Sequence, residues 1–310
     1  MRLGVIDVGS NTVHLLIVDA YPGAHPLPAY SHKITLRLSE HVDDDGLIAD
    51  AGRHRLIEFV GECIEVAEEK GAESLVGIAT SAVRDAPNGD AVLDAVRAVH
   101  DVDLHVMSGE DEARHTFLAA RRWFGWSAGT LLMIDIGGGS LELAVGMDEE
   151  PDVAISLNLG AARITRDHLP GDPPSAAAIK AARKFVRAEI AAAARPLIKH
   201  PDANRIVGTS KTMRSLARLC GAAPTREGPY VTRTLERRAL SKQLGRLAKL
   251  TVAERSQLQG VTSTRAPQIL GGAIVAEAAM DLLEVDCLEI CPWAMREGYI
   301  LRLLDHMDSP

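Results

Sequence analysis

The chain has 310 residues, which fits about two domains of ordinary size. With 46% hydrophobic and 25% charged residues it has the make-up of a globular protein, which argues against a disordered, fibrous or disulfide-built chain. Its 34 cationic and 42 anionic side chains sum to −8, which argues against nucleic acid or an anionic membrane as the main partner and leaves room for a small polyanion met by a local cluster of amides, cations and metal.

The N-terminal apolar run breaks at Asp7, so no signal peptide is expected, and no run of 18 apolar residues predicts a membrane span. Residues 3–18, LGVIDVGSNTVHLLIV, read as two apolar β-runs around Asp-x-Gly and small polar residues, a hairpin. His32 to Leu38 alternates like a third strand. Asp43-Asp44-Asp45-Gly46 lacks the spacing of a calcium loop and reads as a solvated turn. Leu56, Val60, Cys63, Ile64 and Ala67 follow helical spacing, and Leu75 to Ala79 is a short buried strand. A helix over 88–100, a strand over 103–107 and a helix over 110–123 complete the first half. Residues 131–146, LLMIDIGGGSLELAVG, then repeat the hairpin, with Asp7 on Asp135, Gly9 on Gly137, Thr12 on Ser140 and Leu15 on Leu143. The offset of 135 − 7 = 128 residues is too long for a solenoid and suits two duplicated domains. The second half continues through a strand near 151–157, an Ala-rich packing helix over 175–199, a strand over 205–208 and a helix over 213–220. Pro173-Pro174 and residues 222–229 are turn-rich. A helix over 269–283, a strand over 285–290 and a helix over 293–306 follow. This alternation predicts an α/β fold.

Cys63, Cys220, Cys287 and Cys291 are sparse, which points to a reducing, cytoplasmic compartment; Cys287 and Cys291 read as a buried structural pair rather than a metal site. The eleven histidines show no zinc-binding spacing.

Two matched hairpins are expected to face each other across an interdomain cleft, with turn amides aimed at phosphate oxygens. Gly9 and Gly137 to Gly139 permit positive φ, and Ser10, Asn11, Thr12 and Ser140 add side-chain donors. Asp7 and Asp135 sit at strand ends where Mg²⁺ can be held, and Glu142 on the returning strand is a further ligand candidate. A single Asp-x-Gly is only a turn; two at matched positions ask for a shared function. Ser108 and Asp111 resemble a capping box, and Glu110, Asp111 and Glu112 suit the helix dipole, so spacing alone selects none of them as catalytic. Thr80 to Asp85 follows a buried strand, and Arg84 there either clamps a phosphate or pairs with Asp85 or another acid. Gly208-Thr209-Ser210-Lys211-Thr212 is a strand–turn–helix anion site without Walker spacing. Gly271-Gly272-Ala273 reads as close helix packing, and Arg265 just upstream is a second-rank phosphate candidate.

The segments Val5 to His14, Ala79 to Asp85, Ser108 to Arg114, Ile134 to Glu142 and Arg296-Glu297-Gly298 together resemble the exopolyphosphatase / guanosine pentaphosphate phosphohydrolase family, over essentially the whole chain. Cys291 to Gly298 is similar to the short actinobacterial members. The resemblance implies two duplicated actin-like ATPase (ribonuclease H-like) domains, placed at 1–124 plus 295–310 and at 125–294. It implies Glu112 as catalytic base, Asp135 and Glu142 as Mg²⁺ ligands, and the loops at Gly9 to Asn11 and Gly137 to Ser140 as grips on terminal phosphates. Mn²⁺ is an alternative to Mg²⁺, and a monovalent cation and a homodimer are left open. The family often carries Gly-Thr-Gly-Gly-Thr where this chain has Ser210 and Lys211; the bulkier residues either block close approach of a nucleoside or let Lys211 add a phosphate contact. Long members carry C-terminal helical domains that this sequence does not match, so short chains are the expected substrate. The expected activity is Mg²⁺-dependent removal of terminal phosphate from inorganic polyphosphate. Its rivals are the same reaction on guanosine pentaphosphate, a sensor that binds without turnover, and a kinase of the same fold.

Overall fold

The computed structural model describes residues 1–21, 23–36, 38–43, 45–198 and 203–307. Arg37, Asp44, Lys199 and the tail beyond Met307 therefore lie outside the described residues. The chain divides into two compact units, one of Met1–Glu112 with the stretch from Arg296, the other of Ala113–Met295.

The first unit is built on the hairpin of β1 (Arg2–Val8) and β2 (Thr12–Asp19), closed by Gly9 N–H donating to the Thr12 carbonyl at 3.0 Å. Strand β3 (Tyr30–Thr35) pairs antiparallel with β2, and α1 (Asp50–Glu69) follows. Then come β4 (Ser74–Ala79), the single turn α2 (Ser81–Arg84), α3 (Gly89–His100) and β5 (Leu104–Val106). The sheet order is β3-β2-β1-β4-β5, with β4 and β5 parallel to β1. Period-two alternation splits β1 between two layers. Ile6 and Val8 pack with Leu56, Val60 and Cys63 of α1, while Leu3 and Val5 pack with Ile300 and Leu304 near the C-terminus. Each such fully buried aliphatic side chain contributes about 1.5–3 kcal/mol.

Helix α4 (Gly109–Phe124) starts in the first unit and continues into the second, whose hairpin is β6 (Leu131–Ile136) and β7 (Leu141–Gly146). Next are β8 (Val153–Leu157), α5 (Ala161–His168), α6 (Ala176–Ala193), α7 (Arg195–Ile198), β9 (Arg205–Thr209) and α8 (Ser210–Leu219). They are followed by β10 (Thr234–Glu236), α9 (Arg237–Leu247), α10 (Val252–Ser256), α11 (Ile269–Leu282) and β11 (Cys287–Ile290). Helix α12 (Met295–Asp305) carries the chain back to the first unit. Within the second sheet the order β8-β7-β6-β9-β11 reproduces β3-β2-β1-β4-β5 in order and sense, with β10 added at the edge. Both units are thus actin-like α/β domains, and the 128-residue repeat is a duplication of fold.

Several expectations need correction. The third strand stops at Thr35; Leu36 and Leu38 turn into the core and a short 3-10 helix follows over Leu38–His41. The Ala-rich helix ends at Ala193, because Pro196 cannot donate to the preceding turn, although it is tolerated in the first turn of α7. Helix α8 opens at Ser210, not 213. Helices α5, α9 and α10 and strand β10 were not anticipated. Cys287 is exposed at the start of β11, Cys291 is buried beyond its end, and both are free thiols, so they form no buried pair. The units divide inside α4, after Glu112, whereas the expected boundary put the whole helix in the first domain. No described helix is long and apolar enough to cross a membrane.

Candidate active site

In the first unit the candidate residues gather at the carboxyl ends of β1, β4 and β5, where ligand sites of open α/β sheets form. Ser10 and Ser81 share a hydrogen bond at 3.1 Å, which ties the hairpin turn to α2, and the Asn11 carbonyl accepts from Leu36 N–H at 3.1 Å. Gly9 is not in the left-handed region, so its expected positive φ is not used. Arg84 donates to Asp85 at 3.1 Å, to the Met107 carbonyl at 3.0 Å and to Glu112. The alternative of pairing with an acid is therefore realised, and the partner is the implied base. Glu110 and Asp111 are exposed and only Glu112 of the three acids is buried. Burial thus sets Glu112 apart from its two neighbours. Ser108 caps the helix, its Oγ accepting from Asp111 N–H at 3.1 Å and donating to the Asp111 carboxylate at 2.6 Å.

Asp7, at the end of β1, has a cationic neighbour. Arg296 Nε lies 3.4 Å from its Oδ2. Burial pushes the Asp7 carboxyl up, Arg296 and Lys33 pull it down, and Glu297 pushes it up. Across the hairpin it faces His14, and His14 in turn faces Lys33. This carboxylate thus stands with the cations Arg296 and Lys33 of its own chain.

The second unit has its own charged residues at the corresponding strands. Ser156, Glu142, Asp135 and Thr209 stand in register on β8, β7, β6 and β9. Residues directly opposite on neighbouring strands share a face, so this is one polar row crossing an otherwise apolar sheet. Asp135 is 7% exposed, Glu142 4% and Thr209 0%, which leaves two carboxylates side by side and out of water. Thr209 donates to Asp135, and Ser156 donates to Glu142 at 3.0 Å. Burial pushes the Asp135 carboxyl up to about 6 against the opposing pull of Thr209, Arg214 and Arg265. Arg265 is itself pushed down to about 10, by burial and by the neighbouring charge of Arg214. Two arginines therefore crowd each other beside the acid row, an arrangement that an anion would relieve. Arg214 was not anticipated; it is held by the carbonyls of Ser210 at 3.2 Å and Pro292 at 3.4 Å.

The glycine turn between β6 and β7 is positioned by a helix that the pattern of the sequence did not reveal. None of Gly137, Gly138 and Gly139 is left-handed. Their carbonyls instead accept from the start of α5. Gly160 N–H donates to Gly139 at 3.1 Å, Ala161 to Gly137 at 3.0 Å, and Ala162 and Arg163 to Gly138 at 2.9 and 3.1 Å. Arg163 Nε adds a bond to Gly139 at 2.9 Å. A Cβ at Gly160 would sit 2.3 Å from the backbone of Gly138 and Gly139, so only glycine allows this approach. In a trans peptide N–H and C=O point opposite ways. With the carbonyls turned to α5, the amides of Gly138, Gly139 and Ser140 point away from it, the orientation a phosphate needs.

The remaining candidates separate. Gly208 is tightly packed, since its Cβ would meet Leu288 at 2.8 Å and Met213 at 2.9 Å. Lys211 is exposed on the first turn of α8. Ser210 takes the left-handed conformation, φ 75°. Gly271 and Gly272 do serve packing, bringing α11 against Ala161 of α5 and Thr212 of α8.

Residues 17–307 match the Ppx/GppA phosphatase family. The chain belongs to that family. It is 52% identical over 305 residues to Exopolyphosphatase 1 of Mycobacterium tuberculosis, covering 98% of this chain and 89% of that one. The corresponding figures for Exopolyphosphatase 1 of Mycobacterium leprae are 50%, 98% and 90%. The crystal structure of the Aquifex aeolicus member of the Ppx/GppA family superposes with a TM-score of 0.80 at 25% identity, covering 99% of both chains.

A divalent cation, which membership of the Ppx/GppA family implies, fits the acid row of the second unit. Asp135 and Glu142 offer two buried hard-oxygen acids in register on β6 and β7. Among the described residues no three His, Cys, Asp or Glu side chains converge. The protein thus supplies two carboxylates, and Mg²⁺ commonly fills its other positions with water and phosphate oxygens.

Proposed function

We propose that this Ppx/GppA phosphatase is an exopolyphosphatase that removes the terminal phosphate of inorganic polyphosphate with water as the nucleophile. The observation that carries the reading is the pairing of the buried acid Glu112 with Arg84. A terminal phosphate that binds Arg84 competes with Glu112 for the guanidinium. The carboxylate so released accepts a proton from the attacking water, while Arg84 meets charge on the transferring phosphoryl group. Phosphoryl transfer needs positioning and charge stabilisation more than covalent chemistry, and these residues supply both. The amides of Gly138, Gly139 and Ser140 hold phosphate oxygens, as do Ser10, Asn11 and the cations Arg214 and Arg265. Asp135 and Glu142 would hold Mg²⁺ or Mn²⁺, which supplies neutralisation of phosphate charge when bound. Thr209 and Ser156 orient those two carboxylates by donating to them. The four free cysteines suit a reducing compartment, and we place the enzyme in the cytoplasm.

Phosphate release from tripolyphosphate, long-chain polyphosphate, ATP and guanosine pentaphosphate, compared in one buffer with Mg²⁺, Mn²⁺ or chelator, tests this reading. Polyphosphate is expected to give the highest kcat/KM, and chelator to abolish turnover. A higher kcat/KM on guanosine pentaphosphate would transfer the assignment to that substrate, and no release from any of the four would end the enzymatic reading.

A further inference from the structure

Residues 237–250, RRALSKQLGRLAKL, contain five cations and no acid in a chain whose net charge is −8. They form α9 and the turn after it. Leu240, Leu244 and Leu247 face the core, and Arg237 pairs with Asp281 and Asp286. Arg238, Lys242, Arg246 and Lys249 are exposed. Arg238, Lys242 and Arg246, four residues apart, form one stripe at steps of roughly 6 Å along α9, and Lys249 follows in the turn after it. Among the described residues none of these four side chains pairs with an acid. Like charges at such spacing destabilise one another on a bare helix.

A second observation points the same way. An open groove of about 600 Å³ is lined by Lys242, Gln243, Gly245, Arg246, Lys249 and Leu250. Gly245 stands in the last turn of α9, within a helix where glycine is the least favourable residue after proline. Its φ is not left-handed, and a Cβ there would meet nothing within 4 Å, so neither backbone conformation nor packing asks for glycine. What Gly245 does is leave the helix surface bare between three cations.

We infer that the α9 stripe and its groove form a docking track for the distal part of a polyphosphate chain. This rests on the exopolyphosphatase reading, which supplies a linear polyanion. A straight row of unpaired cations beside a bare backbone complements such a chain, whereas an acidic protein surface would have to match the row one carboxylate at a time. The track also revises the expectation that short chains are preferred, since it gives a long chain a foothold that tripolyphosphate does not need.

The test is KM and kcat on tripolyphosphate and on long-chain polyphosphate for the wild type, the triple variant K242Q/R246Q/K249Q, and Gly245→Leu, which fills the groove and keeps every charge. An exposed ionic contact is worth about 1.4- to 5-fold in affinity, so the triple variant should raise the long-chain KM about tenfold. Its tripolyphosphate KM and both kcat values should stay within about twofold by the same scale. Gly245→Leu should show the same long-chain effect in smaller measure, and the charge-preserving K242R/K249R should show none. A long-to-short KM ratio unchanged in both the triple variant and Gly245→Leu would overturn the track. A single-stranded oligodeoxynucleotide that displaces the long chain at equal phosphate concentration would overturn its assignment to polyphosphate. Calorimetric binding of long-chain polyphosphate in chelator, wild type against triple variant, decides the track even if turnover fails. Loss of binding in the variant supports it, and equal binding overturns it.

Discussion

Asp135 offers a prediction whose size can be worked out in advance. Its carboxyl is pushed up to about 6 by burial, from an ordinary value near 3.8. In metal-free protein the folded state therefore holds this proton to higher pH than the unfolded chain does. Between about pH 4 and 6 the unfolded state ionises and is stabilised while the folded state does not, so the group's contribution to stability falls as pH rises and is flat above about 6. A displacement of roughly two pH units corresponds to about 3 kcal/mol. Asp135→Asn keeps an acceptor for Thr209 and cannot ionise. Urea unfolding in chelator from pH 4 to 7.5 should then show near-equal stabilities at pH 4. At pH 7.5 the variant should be the more stable, by up to about 3 kcal/mol. Mg²⁺ should close most of this gap, because the wild type gains RT ln(1 + [Mg²⁺]/Kd), about 2.7 kcal/mol at a hundredfold excess over Kd. A difference between the two proteins that does not change with pH, or a wild type more stable than the variant at pH 7.5 in chelator, would refute this reasoning.

Three further substitutions probe the supports of the site. Ser210→Gly relieves a left-handed serine and should raise unfolding free energy by about 1 kcal/mol, read from urea melts; a loss of stability would show that the conformation is not strained. Arg296→Met leaves the half-buried Asp7 carboxylate without its nearest cation and should lower stability by about 1 kcal/mol, with most of the loss removed in an Asp7→Asn background, a double-mutant cycle that additive losses would contradict. Gly160→Ala drives a Cβ into the backbone of Gly138 and Gly139, so it should destabilise the second unit by about 1–3 kcal/mol and raise KM for polyphosphate, and an unchanged KM would detach the turn from substrate binding.

What the sequence made legible was whatever repeats or alternates. The matched hairpins announced the duplication, and the strand order of both sheets follows from it. The buried strands and long helices read well because their apolar period is unbroken. The site was legible as a set of motifs and not as a set of contacts. Asp7 and Asp135 look equivalent in the repeat, yet one faces Arg296 and the other a second acid, because His14 stands where Glu142 stands. Glu112 was one acid of three until burial singled it out. Helix α5 and Gly160 went unseen since eight residues carry little period and the glycine's reason lies in a backbone 21 residues away. Arg214 was hidden in an ordinary amphipathic helix, although its place four residues after Ser210 puts it on the same helix face. The α9 cations went unremarked because a charged helix face is usually only a solvated one.

The central claim is that Glu112 is the base that activates water. The direct measurement is kcat and KM of Glu112→Gln for phosphate release from polyphosphate under saturating Mg²⁺, with folding checked by an unchanged urea midpoint. The account predicts that kcat falls by about 10²–10⁴ while KM moves little. Turnover near that of the wild type would contradict it.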